Sequence, residues 1–121
     1  MLTNRFAHDS EAEREFADGE FIVRKGEPGQ EMFIIQSGSV VVRGANGVEV
    51  ARLGKGEFFG EMSVLESSPR DADVIAQGTT RVLVLGPGAL FVRLRRDASF
   101  ALELLQALSS RVRALNERLG P

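Results

Sequence analysis

Short apolar runs separated by turn residues fill the middle of the chain, from Gly19 to Gly86. The runs are Phe21–Val23, Met32–Ile35, Val40–Val42, Val48–Val50, Asp73–Gln77 and Thr80–Leu85. Asn46-Gly47 predicts a tight turn because both residues tolerate a positive φ. Ser37-Gly38 is expected to turn a hairpin, and Gly78 to join the last two runs. Many short strands rich in Val and Ile predict an antiparallel β-roll or barrel.

Helical patterns flank this middle zone. Ser10 and Glu13 have capping-box spacing, which predicts a short helix before Phe16 within an N-terminal segment of about residues 1–18. From Pro87 the apolar period becomes helical, and a break near 97–99 divides residues 87–119 into a short and a long helix. The predicted fold class is α+β: an antiparallel β-roll of the jelly-roll type over residues 19–86, a short N-terminal helix and two C-terminal helices.

The long helix carries a regular apolar stripe. Its members are Ala101, Leu105, Leu108, Val112, Leu115 and Leu119, which follow one another at alternating steps of four and three residues. This is the spacing of a coiled-coil seam, so the stripe predicts either packing on the roll or homodimerisation through residues 101–119. Leu102 and Leu104 broaden the apolar face near the start of the helix. We therefore expect the first half to lie on the roll and Leu108 to Leu119 to meet a partner.

Composition narrows the class of protein. A chain of 121 residues with 43% hydrophobic residues fits one domain, residues 1–121. The net charge of −2 argues against binding to nucleic acid, and no run is long and apolar enough for membrane insertion. The absence of cysteine suits a reducing compartment, and the charged N-terminus does not resemble a signal peptide, so a cytoplasmic location is expected.

The candidate chemistry lies in "EFFGEMSVLESSPRDADVIA", residues 57–76. Gly60-Glu61 begins a predicted short helix whose first turn leaves backbone N–H groups unpaired. Arg70 offers a planar donor fork that matches phosphate oxygens, and an ionised Glu61 accepts a hydroxyl hydrogen. A ligand with an anion beside a sugar hydroxyl, such as a cyclic nucleotide, would satisfy both groups. A simple Glu61–Arg70 ion pair that braces a loop is the alternative.

These residues resemble a known family. "FGEMSVL" followed by "PRDADV", within residues 59–74, is similar to the phosphate-binding cassette of cyclic nucleotide-binding domains, the type found in catabolite activator proteins and in regulatory subunits of protein kinase A. "GEFIVRKGEPGQEMFIIQSGSVVV" is similar to the first hairpins of these domains. "RVLVLGPGALFVRL" and the long helix are similar to their B and C helices. The resemblance extends from about Phe16 to Leu119.

The resemblance implies a role for each matching position. Glu61 would accept the ribose 2′-hydroxyl, and Gly60 would let the backbone approach the sugar. Arg70 would pair with the cyclic phosphate, to which the amide of Ala72 would also donate. The ligand would be cAMP before cGMP, with no separate cofactor.

The base would lie against apolar strand residues and the long helix. A polar residue of that helix reads the base in catabolite activator proteins, and Asn116 is the nearest equivalent here, with Arg113 as a second choice. Solvated helix residues are the alternative for both positions. The helices after Pro87 would then move to report the ligand.

Asp71 and Asp73 depart from the family pattern, which has small or hydroxyl residues there. Two carboxylates beside a phosphate would repel it by about 1 kcal/mol each in water and about 4 kcal/mol at an effective dielectric of 20. In an extended segment side chains two apart share a face, so both would point in or both out. Outward orientation leaves the site usable. Inward orientation favours a ligand that offers donors instead of an anion, or a degenerate domain that serves as a dimerising scaffold.

Catalysis is not expected from this sequence. A cupin-type metal site needs several histidines, and the chain has one, His8, outside the roll. No general base stands beside a serine nucleophile, and nothing raises a carboxyl pKa for paired-carboxylate hydrolysis. The chain also leaves no length for a helix-turn-helix after the long helix. We therefore expect a regulatory domain, alone or joined to an effector that this sequence does not encode.

Overall fold

The computed structural model describes residues 11–119. The elements in this range are β1 (Ala12–Phe16), β2 (Phe21–Val23), β3 (Met32–Arg43), β4 (Glu49–Gly54), β5 (Phe58–Phe59), α1 (Glu61–Glu66), β6 (Asp73–Leu85), α2 (Pro87–Arg96) and α3 (Ala98–Leu119). A 3-10 turn, Ala45–Gly47, joins β3 to β4.

Two long antiparallel strands, β3 and β6, form the centre of the sheet. The main path runs β1-β6-β3-β4, while β2 pairs with β6 and β5 pairs with β3. Every pairing is antiparallel, with Phe33 opposite Val84 and Val41 opposite Ile75 on the two central strands. The predicted fold class, α+β with an antiparallel sheet and a long last helix, is therefore confirmed.

The glycines inside the central strands bend them without ending them. β3 continues through Gly38, where φ is 84°, and its register against β6 shifts between Ile35 and Ser39. β6 likewise passes through Gly78 at φ 67°. The hairpin predicted at Ser37-Gly38 is therefore wrong, because a bulge at a glycine lets one strand curl across the roll. The turn predicted at Asn46-Gly47 is confirmed, with φ of 61° and 71°.

The predicted N-terminal helix is wrong over its described part. Residues 12–16 form β1, which pairs with β6 from Ala12 opposite Val84 to Phe16 opposite Thr80. Pairing with β6 gives alternate residues of this segment hydrogen-bond partners for their backbone groups. The partly buried Phe16 also packs on the core. Together these outweigh the capping-box signal of an isolated short helix. Ser10 and His8 lie outside the described residues.

Two apolar clusters hold the elements together. One lies inside the roll and comprises Val23, Phe33, Ile35, Val40, Phe59, Val74, Val82 and Val84. The other joins the sheet to the helices and comprises Met32, Leu85, Ala89, Leu90, Phe100 and Leu104. In this second cluster the ring of Phe58 meets that of Phe100 edge to face, with centroids 5.9 Å apart. The second cluster fixes α2 and the start of α3 against the roll.

The break between α2 and α3 falls where the sequence predicts it. Pro87 stands in the first turn of α2, and the Asp97 carboxylate accepts a hydrogen bond from the Phe100 amide at 3.0 Å, which caps α3. Beyond Leu108 the apolar stripe is open to solvent, since Val112, Leu115 and Leu119 are each more than half exposed, and so is Leu105 before it. Within residues 11–119, no helix is long and apolar enough to cross a membrane.

The bulge at Gly38 predicts a specific loss of stability. A Cβ at Gly38 would lie 2.5 Å from the Thr79 carbonyl oxygen, whereas a Cβ at Gly78 would meet nothing within 4 Å. We expect Gly38→Ala to lower the free energy of unfolding by about 2–4 kcal/mol. Gly78→Ala should cost about 1 kcal/mol, from its positive φ alone. Urea unfolding measures both, and equal losses would show that the contact with Thr79 does not set the cost.

Candidate functional site

A cavity of about 200 Å³ opens between the β-roll, α1 and α3. Its lining comprises Val23, Val42, Ala51, Leu53, Phe58, Phe59, Gly60, Glu61, Met62, Ser63, Arg70, Asp71, Ala72, Val74 and Arg111. Five of the seven residues that the sequence singled out are in this lining: Gly60, Glu61, Arg70, Asp71 and Ala72. The walls are otherwise mostly apolar, so the few charged groups share a small space with apolar side chains.

Gly60 sets the direction in which α1 begins. Its φ is 84°, and a Cβ there would lie 3.0 Å from the Glu31 carbonyl oxygen and 3.1 Å from Nη1 of Arg70. Glycine therefore meets both a backbone and a space requirement. The next residue, Glu61, is the first of α1 and is only 7% exposed, which places its carboxylate at the cavity wall.

Arg70 is buried and is held by backbone carbonyl and amide groups. It is 9% exposed, and its Nη1 donates to the Glu31 carbonyl at 2.7 Å. The backbone of Arg70 exchanges two hydrogen bonds with the preceding loop, at 2.8 Å with Gly26 and 3.0 Å with Glu27. Burial lowers the pKa of the guanidinium, and the carboxylates of Glu31 and Asp71 act against that shift. The side chain stays a cation because arginine does not deprotonate in proteins.

Gly29 is a second glycine that the arginine requires. A Cβ at this position would lie 2.5 Å from Nε of Arg70 and 2.6 Å from its Cζ. Any other residue would therefore push the guanidinium or the loop away. Sequence reasoning treated Gly29 only as a turn residue, because the contact joins positions 41 residues apart and leaves no local signal.

The simple Glu61–Arg70 ion pair is not formed. Among the described residues, no carboxylate lies within ion-pair distance of Arg70. Oε1 of Glu61 instead lies 3.3 Å from Nη1 of Arg111, on α3. The buried carboxylate and the buried guanidinium of the cassette thus face the same cavity without pairing with each other.

The two aspartates of the cassette point to different places. The chain bends at Ala72, so the extended geometry that would give Asp71 and Asp73 a shared orientation is absent. Asp71 lines the cavity, and its Oδ2 accepts a hydrogen bond from Nη2 of Arg111 at 3.0 Å. Oδ1 of Asp73 accepts one from the Lys25 amide at 2.8 Å, and Asp73 is not part of the lining. The prediction of one common orientation is therefore wrong.

The residue of α3 that lines the cavity is Arg111. Asn116 and Arg113, the sequence candidates on this helix, are exposed and stand outside the lining. At 3.6 residues per turn, Asn116 lies roughly 140° around the helix from Arg111. A base contact by Asn116 stays a prediction.

Helical periodicity could have identified Arg111. It stands seven residues after the buried Leu104 and therefore on the same face of α3. Burial lowers the pKa of Arg111, but its hydrogen bond to Asp71 and the charges of Asp71 and Glu61 outweigh that effect, so the pKa is raised. The guanidinium is therefore firmly charged between two acids.

This arrangement suits recognition of a small organic anion. A buried carboxylate can accept a hydroxyl hydrogen, a buried guanidinium can donate to an anion, and apolar walls can cover a planar group. In the described range, no three His, Asp or Glu residues are grouped to hold a metal ion.

Comparison with known proteins agrees with this geometry. The family model for the cyclic nucleotide-binding domain matches residues 13–97. The cAMP-dependent protein kinase regulatory subunit of Mucor circinelloides f. lusitanicus is 40% identical over 82 residues, which are 65% of this chain and 19% of that protein. The chain therefore spans about a fifth of the length of this relative.

Solved structures show the same fold. The catabolite activator protein of Thermus thermophilus superposes with a TM-score of 0.79 and 32% identity over 90% of this chain and 53% of that one. The regulatory domain of Toxoplasma gondii PKA, in a co-crystal with cAMP, gives a TM-score of 0.67 and 30% identity over 88% and 41% of the two chains. From its sequence match and its fold, the chain belongs to the cyclic nucleotide-binding domain family.

Proposed function

We propose that this domain is a sensor that binds a cyclic nucleotide, cAMP before cGMP, in the cavity between the cassette and α3. The observation that carries the proposal is the pair of buried, opposite charges on Glu61 and Arg70, which line one cavity and do not pair with each other. An ion pair between Glu61 and Arg70 would have turned the two groups toward each other and away from a ligand. The cAMP named for the Mucor and Toxoplasma relatives supports the choice of nucleotide.

The polar groups of Glu61, Arg70 and Ala72 each have a partner on such a ligand. The Glu61 carboxylate accepts the ribose 2′-hydroxyl, next to Gly60, whose missing side chain lets the sugar come close. Arg70 has five N–H donors and uses one on the Glu31 carbonyl, so others are available to the cyclic phosphate. The Ala72 amide adds a further donor, and the apolar side chains of β3 and β4 cover the base.

The two aspartates do not oppose this binding mode. Asp73 is bonded to the Lys25 amide away from the cavity, and the charge of Asp71 is opposed by Arg111 at 3.0 Å. The signal would reach the helices through α3, which lines the cavity itself. A ligand moves such a helix only as far as it binds the two arrangements with different affinity. An effector, on the same polypeptide or a separate one, would receive the change.

Calorimetric titration with cAMP and cGMP tests the proposed ligand. We expect micromolar or tighter binding of cAMP, weaker binding of cGMP, and neither nucleotide consumed. Arg70→Ala should weaken binding by about tenfold to a hundredfold, because a charge-assisted contact is worth about 1.5–3 kcal/mol.

Arg52→Ala is the matched control, since Arg52 forms an exposed ion pair with Glu49 and stands outside the cavity lining. It should bind like the unmodified protein. No heat with either nucleotide, together with an unchanged melting temperature at millimolar ligand, would contradict the proposal. The degenerate scaffold would then be the better description.

The contact between Gly29 and Arg70 leads to a second prediction for the affinity for cAMP. Gly29→Ala places a methyl group against the Arg70 guanidinium, so the side chain must leave its position. We expect the affinity for cAMP to fall about tenfold or more. Gly86→Ala is the control, because a Cβ there meets nothing within 4 Å. Unchanged affinity in Gly29→Ala would show that Arg70 need not be held in this place.

We also propose that the exposed stripe on α3 joins two copies of the chain. Val112, Leu115 and Leu119 stand open to solvent at coiled-coil spacing, and Met62, Leu108 and Ala114 border a groove beside them. A seam of this kind buries apolar surface only against another helix. The opposite face of α3 is already occupied by the roll, which supports a second copy as the partner.

Light scattering checks the dimer. The unmodified domain is expected to give the mass of two chains at micromolar concentration, and Leu115→Glu the mass of one, since the seam would have to bury an unpaired charge. Gln106→Glu adds the same charge at an exposed position on the far side of α3 and should leave the dimer intact. Monomers alone at high micromolar concentration would remove the proposal.

A further inference from the structure

The charged side chains that line the cavity balance one another. They are two acids, Glu61 and Asp71, and two arginines, Arg70 and Arg111. Arg111 is the one that contacts both acids, at 3.3 Å for Glu61 and 3.0 Å for Asp71. Removing either member of the Asp71–Arg111 pair would leave a net charge of one unit at the cavity, and removing both would restore the balance.

We propose that Asp71 and Arg111 act as one unit, the Asp71–Arg111 latch, which holds α3 over the cassette and sets the affinity for an anionic ligand. The inference rests on the proposed function for its ligand, and adds two residues that tune the affinity of the site. Arg111 is a specificity-determining residue in this scheme, and Asp71 compensates its charge.

The latch is the polar connection between the cassette and the second half of α3. Among the described side chains beyond Leu108, Arg111 alone forms a hydrogen bond or ion pair with the cassette. Phe100 and Leu104 hold the first turns of α3 by apolar contact, but the residues after Leu108 have little of it. Within one chain, the position of this half of the helix therefore depends on the contacts of one guanidinium.

The two contacts of Arg111, with Glu61 and with Asp71, differ in exposure and in what a ligand does to them. The side chain of Glu61 is 10% exposed and that of Asp71 is 68% exposed, so the contact with Glu61 is shielded from solvent and the contact with Asp71 is screened. A ligand hydroxyl that donates to Glu61 competes for the longer, 3.3 Å contact. Ligand binding thus weakens the contact between Arg111 and Glu61. The contact between Arg111 and Asp71 continues to neutralise Asp71 beside the anion.

A four-protein cycle tests the charge balance: the unmodified domain, Arg111→Gln, Asp71→Asn and the double variant, each titrated with cAMP. Arg111→Gln should weaken binding about tenfold, because Asp71 then faces the phosphate uncompensated. Asp71→Asn should bind about as tightly as the unmodified protein, so additive effects would leave the double variant about tenfold weaker. The double variant should return to within about threefold of the unmodified protein, the non-additivity expected of a coupled pair. Additive effects would overturn the latch.

Hydrogen exchange without nucleotide tests the same latch independently of ligand binding. Amides of α3 after Leu108 should exchange several-fold faster in Arg111→Gln and in the double variant, to the same extent in both. Arg96→Gln and Glu117→Gln remove the same charges outside the cavity lining and are the controls, with light scattering to confirm one oligomeric state throughout.

Unchanged exchange in Arg111→Gln would overturn the latch whatever the titrations show. If the unmodified domain binds no nucleotide yet the exchange pattern appears, the proposed ligand is wrong and the connection between Asp71, Arg111 and α3 stands. The two failures are therefore distinguishable.

Discussion

Burial of the Arg70 guanidinium is the constraint on which the site depends. Taking a cation out of water costs several kcal/mol, and a buried charge persists only where hydrogen bonds or counter-charges compensate it. Within the chain the Glu31 carbonyl accepts a hydrogen bond from the guanidinium at 2.7 Å, and the charges of the Glu31 and Asp71 carboxylates add to this compensation. Gly29 and Gly60 supply the space that lets the backbone come so close. Two glycines and one carbonyl thus fix a cation in the cavity lining, where no carboxylate of the described residues pairs with it.

The central strands provide the rigidity that this arrangement needs. β3 carries Phe33 beneath the guanidinium, with Cζ of Arg70 5.5 Å from the ring centroid, and Phe33 stacks on Phe59 at 5.0 Å. Phe59 directly precedes Gly60, so the same stack places the start of α1. The position of Glu61 relative to Arg70 is therefore set by the core of the roll, which loops alone could not do.

The sequence predicted the parts of this molecule that local pattern determines. The strand-rich zone, the break at Asp97 and the grouping of Gly60, Glu61, Arg70 and Ala72 follow from runs, caps and a motif whose members are close in sequence. The N-terminal helix failed because β6 offers an edge to residues 12–16, and an edge is a property of the assembled sheet. Gly29 was missed for the same reason, since it meets Arg70 across 41 residues of chain, whereas Arg111 could be identified only by its helical face, because Asp71 lies 40 residues before it.

The orientations of Asp71 and Asp73 do not follow from strand alternation, because the chain bends between them. Strand geometry would give Asp71 and Asp73 one face, but the turn at Ala72 separates them, and their partners, Arg111 and the Lys25 amide, come from opposite ends of the chain. Local pattern could therefore not decide between an open and a degenerate site.

α3 joins two surfaces whose requirements differ. Arg111 and Val112 are consecutive and lie about 100° apart around the helix, so one faces the cavity while the other belongs to the exposed stripe. An α-helix is rigid over this distance, so a shift of α3 that breaks a contact of Arg111 must also move Val112. Ligand binding and dimerisation could then be coupled without a chain of contacts through the roll. The requirement is that the ligand-bound and ligand-free positions of α3 differ in their affinity for α3 of the second copy.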